Sequence, residues 1–212
     1  MTEGKLFTQA EEKAFRQLSL SEQQKVLLAK YQERNQEIQA GGIVLAGDSL
    51  TEFLPHGKLQ TELPLYNRGI RGIGIAFLRE HINTLILEVK PSQVVLLIGT
   101  NDLMFGMAPE HLAEEISELL ETIQAELPTC DIYLQSLYPR LDSVQWGPAL
   151  MDEIEIANLY LRNLSGITYI DMHSQLAMSN QLLNPDYTRD GVHLTMAGYQ
   201  VVLETLGQLL QA

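Results

Sequence analysis

The sequence predicts an α/β fold: a three-layer α/β/α sandwich in which helices cover both faces of a five-stranded parallel sheet. Five short apolar runs typical of buried strands alternate with segments whose apolar residues recur at helical spacing. Strands joined through helices pair in parallel by right-handed crossovers, which place helices on both faces. The chain has 212 residues, enough for one domain with its own core, and no run of about 18 apolar residues that could span a membrane.

The five predicted strands are short, and the clearest of them are rich in β-branched or aliphatic residues. They cover residues 43–46, 65–66, 93–98, 131–137 and 167–171. The run at 65–66 is the weakest because it is only two residues long, whereas 93–98 is a continuous apolar run once past its first residue.

The helices are predicted from composition and from apolar spacing. Residues 9–39 contain no Gly or Pro and are rich in Glu, Gln, Lys, Leu and Ala, which predicts one long N-terminal helix. A second helix begins at Pro109 and ends before Pro128, with its apolar residues on one stripe. Further helices are expected at residues 76–89, 149–164 and 197–210.

We expect residues 1–40 to form an N-terminal helical segment that packs on the flank of a domain made of residues 41–212. A homodimer formed through this helix is the alternative. The longest loop is predicted at 138–148, after the fourth strand. Loops at that end of a parallel sheet form pocket walls, so Tyr138 and Trp146 of this loop, with Met104, either line a pocket or pack beneath the loop.

Charge and cysteine content limit the partners and the compartment. Fourteen Lys and Arg against 27 Asp and Glu give a net charge of −13, which opposes binding to nucleic acid and to anionic membranes. The N-terminus has acidic residues where a signal peptide would be apolar. The single cysteine, Cys130, cannot form an internal disulfide, and no Cys or His spacing indicates zinc. These features predict a cytoplasmic protein.

Polar motifs follow three of the predicted strands, and a fourth motif precedes the last helix. They are GDSL at 47–50, NRGIRG at 67–72, GTND at 99–102 and DGVH at 190–193. Because the carboxyl ends of parallel strands meet at one edge of the sheet, we expect these segments to converge there.

The converging residue types are those of acyl transfer. A serine hydroxyl is a weak nucleophile until an imidazole takes its proton, and a carboxylate must hold that imidazole in the correct tautomer. Ser49, His193 and Asp190 supply these three groups. The oxyanion needs hydrogen-bond donors, for which the candidates are the Ser49 N–H, the Gly72 N–H and the side-chain amide of Asn101.

The four motifs, in this order, resemble the sequence blocks of the SGNH hydrolases, also called GDSL lipases or esterases. The resemblance covers about residues 42–212, and NRGIRG with SLYPR at 136–140 is most similar to the branch containing the α subunits of platelet-activating-factor acetylhydrolase. It implies a flavodoxin-like sandwich and a serine esterase without metal or cofactor. Ser49 would be the nucleophile, His193 the base, Asp190 its orienting acid, and Ser49, Gly72 and Asn101 the oxyanion donors.

One position departs from the pattern of the family. Many members carry an acidic residue directly after the second-block glycine, whereas this chain has Ile73. The departure puts the support of the Gly72 turn in question, and Gly69 is the second choice for the donor.

Several neighbouring side chains have two interpretations. We expect Asp48 to cap the following helix rather than to act in catalysis. Arg68 and Arg71 either bind an anionic group of the substrate or are solvated at the surface. The pair Asp171 and His173 has the spacing of metal ligands, but two ligands do not make a site.

The predicted function is hydrolysis of a small, short-acyl ester through an acyl-serine intermediate. An O-acetylated carbohydrate, a lysophospholipid or a thioester are alternative substrates. From a different class, a non-catalytic flavodoxin-like binding module stays open. A flavin electron carrier is disfavoured by the acidic loop at 47–52, and a phospho-receiver domain by the lack of any lysine after Lys90.

Overall fold

Five parallel strands form the centre of the protein, in a computed structural model that describes residues 6–141 and 149–210. The strands are β1 Ile43–Gly47, β2 Leu65–Gly69, β3 Gln93–Leu97, β4 Asp131–Gln135 and β5 Thr168–Ile170. Their order in the sheet is β2-β1-β3-β4-β5, and all four pairings are parallel. The predicted α/β fold is confirmed.

Helices surround this sheet along the described part of the chain. They are α1 Gln9–Phe15, α2 Leu20–Arg34, α3 Ser49–Glu52, α4 Ile75–Glu80, α5 Ile82–Leu85, α6 Thr100–Met104, α7 Pro109–Glu126, α8 Ala149–Leu161, α9 Met172–Leu176 and α10 Met196–Leu209. Short 3₁₀ turns lie at His56–Lys58, Leu87–Val89 and Pro185–Tyr187. Across residues 6–141 and 149–210, no helix combines the length and the apolar character needed to cross a membrane.

The prediction of one helix over residues 9–39 is wrong. The segment forms two helices, α1 and α2, because Ser19 begins a new one. The Ser19 hydroxyl accepts a hydrogen bond from the Glu22 N–H, and the Glu22 carboxylate accepts one from the Ser19 N–H at 2.9 Å. This capping box satisfies two backbone donors that a new helix leaves unpaired.

The predicted helix at 76–89 is also interrupted. His81 has φ −111° and ψ 20°, outside the helical region, so α4 ends there and α5 begins. The segment then closes with a 3₁₀ turn, whereas the helix predicted from Pro109 is continuous to Glu126.

Apolar side chains fill the space on both faces of the sheet. Because neighbouring residues of a strand point to opposite faces, Val44 packs in one cluster with α7 and α8, and Leu45 packs in the other with α9 and α10. Phe15, Leu27 and Tyr31 bring α1 and α2 into the first cluster. The N-terminal helices are thereby fixed against the same face of the sheet as α7 and α8.

Candidate active site

Ser49 lies just after strand β1, which pairs with β2 on one side and β3 on the other, and is the first residue of α3. Asp48 caps this helix, since its Oδ1 accepts a hydrogen bond from the Leu50 N–H at 2.9 Å. Only 2% of Asp48 is exposed, and burial raises the pKa of its carboxyl to about 6. The Tyr199 hydroxyl donates to the Leu50 carbonyl at 2.9 Å, which holds α3 against the C-terminal helix α10.

A continuous line of hydrogen bonds joins Ser49 to a histidine and a carboxylate. The Ser49 Oγ lies 3.0 Å from His193 Nε2, and His193 Nδ1 lies 2.7 Å from Asp190 Oδ2. Asp190 Oδ1 also accepts from the N–H groups of Val192 and His193, at 3.0 and 2.8 Å. The compact turn therefore fixes both the carboxylate and the ring.

The Asp190 carboxyl is held in its ionised form. Partial burial acts to raise its pKa, but hydrogen bonds from the His193 ring and from the backbone of His193 and Val192 outweigh it and keep the pKa below its usual value. An ionised carboxylate at Nδ1 directs the basic lone pair of the imidazole to Nε2, which faces Ser49.

Asn101 lies at the end of β3, at the start of α6, and its side chain reaches the loop that follows β2. Its Nδ2 donates to the Ile73 carbonyl at 2.8 Å, which uses one N–H of the amide and leaves the second. The neighbouring Asp102 accepts from the Ile75 N–H at 3.0 Å. A Cβ at Gly74 would lie 2.3 Å from Asp102 Oδ1, so glycine is required there for the contact.

Gly72 lies in the same loop, beside helix α2. Its φ of +72° is in the left-handed region, and a Cβ there would be 3.0 Å from the side chain of Leu20. In the described part of the chain no group accepts a hydrogen bond from the Gly72 N–H. The Gly69 N–H, by contrast, donates to Asn67 Oδ1 at 2.9 Å, so Gly69 is poorly suited as the second-choice donor.

The Gly72 turn is well supported although residue 73 is isoleucine rather than an acidic residue. The Ile73 side chain is only 2% exposed and packs in the core, where it anchors the loop. Arg71 adds two further contacts, since its N–H donates to Glu52 at 2.6 Å and its carbonyl accepts from Gln24 at 2.9 Å. The core, α2 and α3 together hold the turn.

A cavity of about 230 Å³ opens at Ser49. It is lined by Asp48, Ser49, Leu50, Thr100, Asn101, Met104, Arg140, Asp190, Val192 and His193. Four of the five residues predicted for the site line it, and Gly72 lies outside its wall. The ring of Phe53, which is partly exposed, packs 5.5 Å from the ring of His193.

The sequence analysis missed two polar side chains in the cavity wall. Thr100 is buried, and its Oγ1 has no hydrogen-bond partner in the described protein. Arg140 is 4% exposed, and its guanidinium lies 3.9 Å from the Met104 sulfur. Both residues belong to quoted motifs, GTND and SLYPR, so closer attention to these motifs would have included them.

Met104 lines the cavity, as one of the two interpretations allowed, whereas Tyr138 packs in the core and donates to Gln135 Oε1 at 2.7 Å. Trp146 lies outside the described residues.

Asp171 caps α9 through the Ser174 N–H and, among the described residues, belongs to no group of three side chains that could hold a metal.

Neither interpretation of Arg68 was correct. It is fully buried, with its guanidinium 4.9 Å from the Tyr31 ring and 5.5 Å from the Tyr66 ring, in cation–π contacts. Arg71 is paired with Glu52 and also contacts Phe53. Arg68 is therefore a structural residue, and Arg71 links α3 to the Gly72 turn.

Residues 45–201 match the family model for the GDSL-like lipase/acylhydrolase family. The chain belongs to this family. The match spans most of the chain and includes all four motifs, so the resemblance found in the sequence is confirmed. The family is one of lipases and acylhydrolases, enzymes that act on ester bonds.

Solved structures share the GDSL-like fold over nearly the whole chain. A Streptococcus pneumoniae protein named after platelet activating factor has a TM-score of 0.82 at 24% identity, covering 96% of this chain and 100% of that one. A GDSL-like lipase from Bacteroides thetaiotaomicron has a TM-score of 0.75 at 20% identity, covering 86% and 96%. At these identities the likeness shows the fold.

A curated relative is similar over part of its own length. The N-acylneuraminate cytidylyltransferase of Escherichia coli O18:K1:H7 is 26% identical over 183 residues, which cover 85% of this chain and 43% of the relative. The chain thus spans less than half of that protein.

Proposed function

We propose that the protein hydrolyses a short-acyl carboxylic ester through an acyl-serine intermediate, with Ser49 as nucleophile. The observation that carries the proposal is the line of hydrogen bonds from Ser49 Oγ through His193 to Asp190, at 3.0 and 2.7 Å. Nucleophile, base and orienting carboxylate lie within hydrogen-bonding distance of one another, as acyl transfer requires.

In the first half-reaction the Ser49 oxygen attacks the ester carbonyl carbon and its proton passes to His193 Nε2. The bond between the carbonyl carbon and the alcohol oxygen then breaks, and His193 returns the proton to the leaving alcohol. In the second half-reaction water gives a proton to His193 and attacks the acyl carbon. The bond between that carbon and the Ser49 oxygen then breaks, the proton returns from His193 to Ser49, and the carboxylic acid leaves. Asp190 stays ionised and stabilises the protonated ring.

The oxyanion that forms on the carbonyl oxygen needs donors that are free in the resting protein. Among the described hydrogen bonds, none uses the second N–H of the Asn101 amide, the N–H of Gly72 or the backbone N–H of Ser49 at the start of α3. Removing one such donor costs about 10²- to 10³-fold in kcat in other enzymes of this chemistry.

The size of the cavity supports a short acyl group. Its volume of about 230 Å³ is below the range of about 300 to 1,000 Å³ that is usual for pockets holding larger ligands. A long acyl chain would therefore have to extend beyond it.

An O-acylated acidic sugar is the second candidate substrate. It is favoured by the similarity to a relative named for N-acylneuraminate, an acidic sugar, and by the Arg140 side chain in the cavity wall. A higher kcat/KM for an O-acetylated acidic sugar than for its neutral analogue would support it.

The decisive experiment is reaction with a fluorophosphonate followed by intact-mass analysis. We expect one adduct on the wild type and on the control Ser21→Ala, which changes an exposed serine, and none on Ser49→Ala. A series of p-nitrophenyl esters from acetyl upward then gives the acyl length, with the highest kcat/KM expected for the shortest chains. Folded wild type without an adduct would overturn the proposal and favour the non-catalytic binding module.

We also propose that the protein is cytoplasmic. Cys130, the sole cysteine of the sequence, has no second cysteine for an internal disulfide, and burial raises the pKa of its thiol to about 11. Cell fractionation with a compartment marker tests this placement, and recovery with secreted proteins would contradict it.

A further inference from the structure

We propose that Gln24, in the N-terminal helix α2, is a positioning residue for the active site. Its side-chain amide stabilises the observed orientation of the peptide between Arg71 and Gly72, and so keeps the Gly72 N–H directed away from α2 and towards the oxyanion. This inference rests on the proposed function, in which Gly72 is one of the oxyanion donors.

The peptide in question is the central one of a turn. Arg71 and Gly72 are its middle residues, and of the two only Gly72 has a positive φ, +72°. These are the signs of a type II turn, which differs from a type I turn chiefly by a flip of the central peptide. Because glycine tolerates both signs of φ, residue 72 does not by itself exclude the flipped form.

A hydrogen bond from Gln24 stabilises the observed form. The Gln24 Nε2 donates to the Arg71 carbonyl at 2.9 Å, which points this oxygen towards α2. A trans peptide is planar, and its C=O and N–H point in opposite directions. The Gly72 N–H, which belongs to the same peptide, therefore points away from α2. After a flip, this N–H would face α2 and could not stabilise an oxyanion.

The neighbouring contacts fix other peptides of the loop. The Arg71 N–H bonds to Glu52 and fixes the preceding peptide, and the Ile73 carbonyl accepts from Asn101 and fixes a later one. Among the described hydrogen bonds, the one from Gln24 is the one that acts on the peptide between Arg71 and Gly72.

The helix that carries Gln24 is itself firmly held. Leu27 and Tyr31 of α2 are buried in the core, and the Tyr31 hydroxyl donates to the Gly69 carbonyl at 2.9 Å. Gln24 is half-buried and lies on the same side of α2 as these two residues. The packing of α2 therefore fixes the position of Gln24 beside the loop.

The test compares Gln24→Met, which keeps the length of the side chain but removes the donor, with Gln32→Met, an exposed site on the same helix. Rates are expressed per active site, titrated with a fluorophosphonate. We expect Gln24→Met to lower kcat by roughly 10- to 100-fold with KM changed by less than about threefold, because oxyanion contacts are strongest in the transition state. Gln32→Met should match the wild type.

A rescue variant separates donor chemistry from packing. Gln24→Lys restores an N–H donor, so it should recover a clear part of the kcat lost in Gln24→Met. Equal losses in both variants, or an unchanged kcat per titrated site in Gln24→Met, would overturn the role of Gln24. Activity surviving in Ser49→Ala would instead overturn the proposed function itself.

Discussion

Asp48 gives the sharpest prediction about stability, because it is a buried carboxyl directly before Ser49 in the chain. Its side chain is 2% exposed, and desolvation by burial raises its pKa from 3.8 to about 6. We consider the change Asp48→Asn. Asparagine keeps an Oδ1 that can accept the hydrogen bond from the Leu50 N–H, now at 2.9 Å, but carries no charge to desolvate.

The magnitude follows from the linkage between protonation and folding. Below pH 3.8 the carboxyl is protonated in both the folded and the unfolded chain, and no penalty arises. Above about pH 6 it is ionised in both, and the folded state bears the full cost of the raised pKa. A shift of about two pKa units corresponds to about 3 kcal/mol. The free energy of unfolding of the wild type therefore falls by this amount as the pH rises from about 4 to 7.

The assay is urea unfolding followed by circular dichroism at several pH values between 4 and 7. The free energy of unfolding of Asp48→Asn minus that of the wild type should grow by about 3 kcal/mol over this range. Asp131→Asn, an exposed carboxyl at the start of β4, controls for the loss of one negative charge from a chain of net charge −13. A difference independent of pH would refute the argument.

Two further substitutions test the site and the core. Asp190→Asn should lower kcat on p-nitrophenyl acetate roughly 10³- to 10⁴-fold, with little change in melting temperature. An amide does not hold the His193 ring in the tautomer that accepts the serine proton. A loss of kcat below about tenfold would contradict this. Asn158→Leu should lower the free energy of unfolding by roughly 2 to 5 kcal/mol, because Asn158 bonds both the N–H and the carbonyl of buried Leu137, at 2.8 and 3.0 Å. The exposed Asn163→Leu is its control in thermal melts, and equal effects of the two would show that the buried bonds contribute little.

The sequence predicted the convergence of those candidate site residues that are encoded locally. Asp190 and His193 lie within one turn of chain, and Asn101 follows a strand that is unmistakably apolar. The support of the Gly72 turn could not be predicted from the sequence. The side chain of Gln24 donates to the Arg71 carbonyl, 47 residues away, and a glutamine within a helical segment gives no sign of such a contact.

The errors in the fold have a physical cause too. Composition alone merged α1 and α2, because the helix break depends on hydrogen bonds between Ser19 and Glu22 rather than on a Gly or Pro. Because Arg68 is charged, it was expected either to bind an anionic group of the substrate or to be solvated at the surface. Its buried position at the rings of Tyr31 and Tyr66 depends on α2 and β2 being neighbours in space.

The hydrogen bond between Ser49 and His193 has a consequence for folding, because 144 residues separate its partners. Contacts of such long range form slowly, since closing the intervening loop costs entropy before the contact stabilises anything. During synthesis from the N-terminus, Ser49 leaves the ribosome long before its histidine exists. The proposed reactivity of Ser49 towards a fluorophosphonate would therefore report on the last stage of folding, when the two halves of the sheet and α10 have assembled.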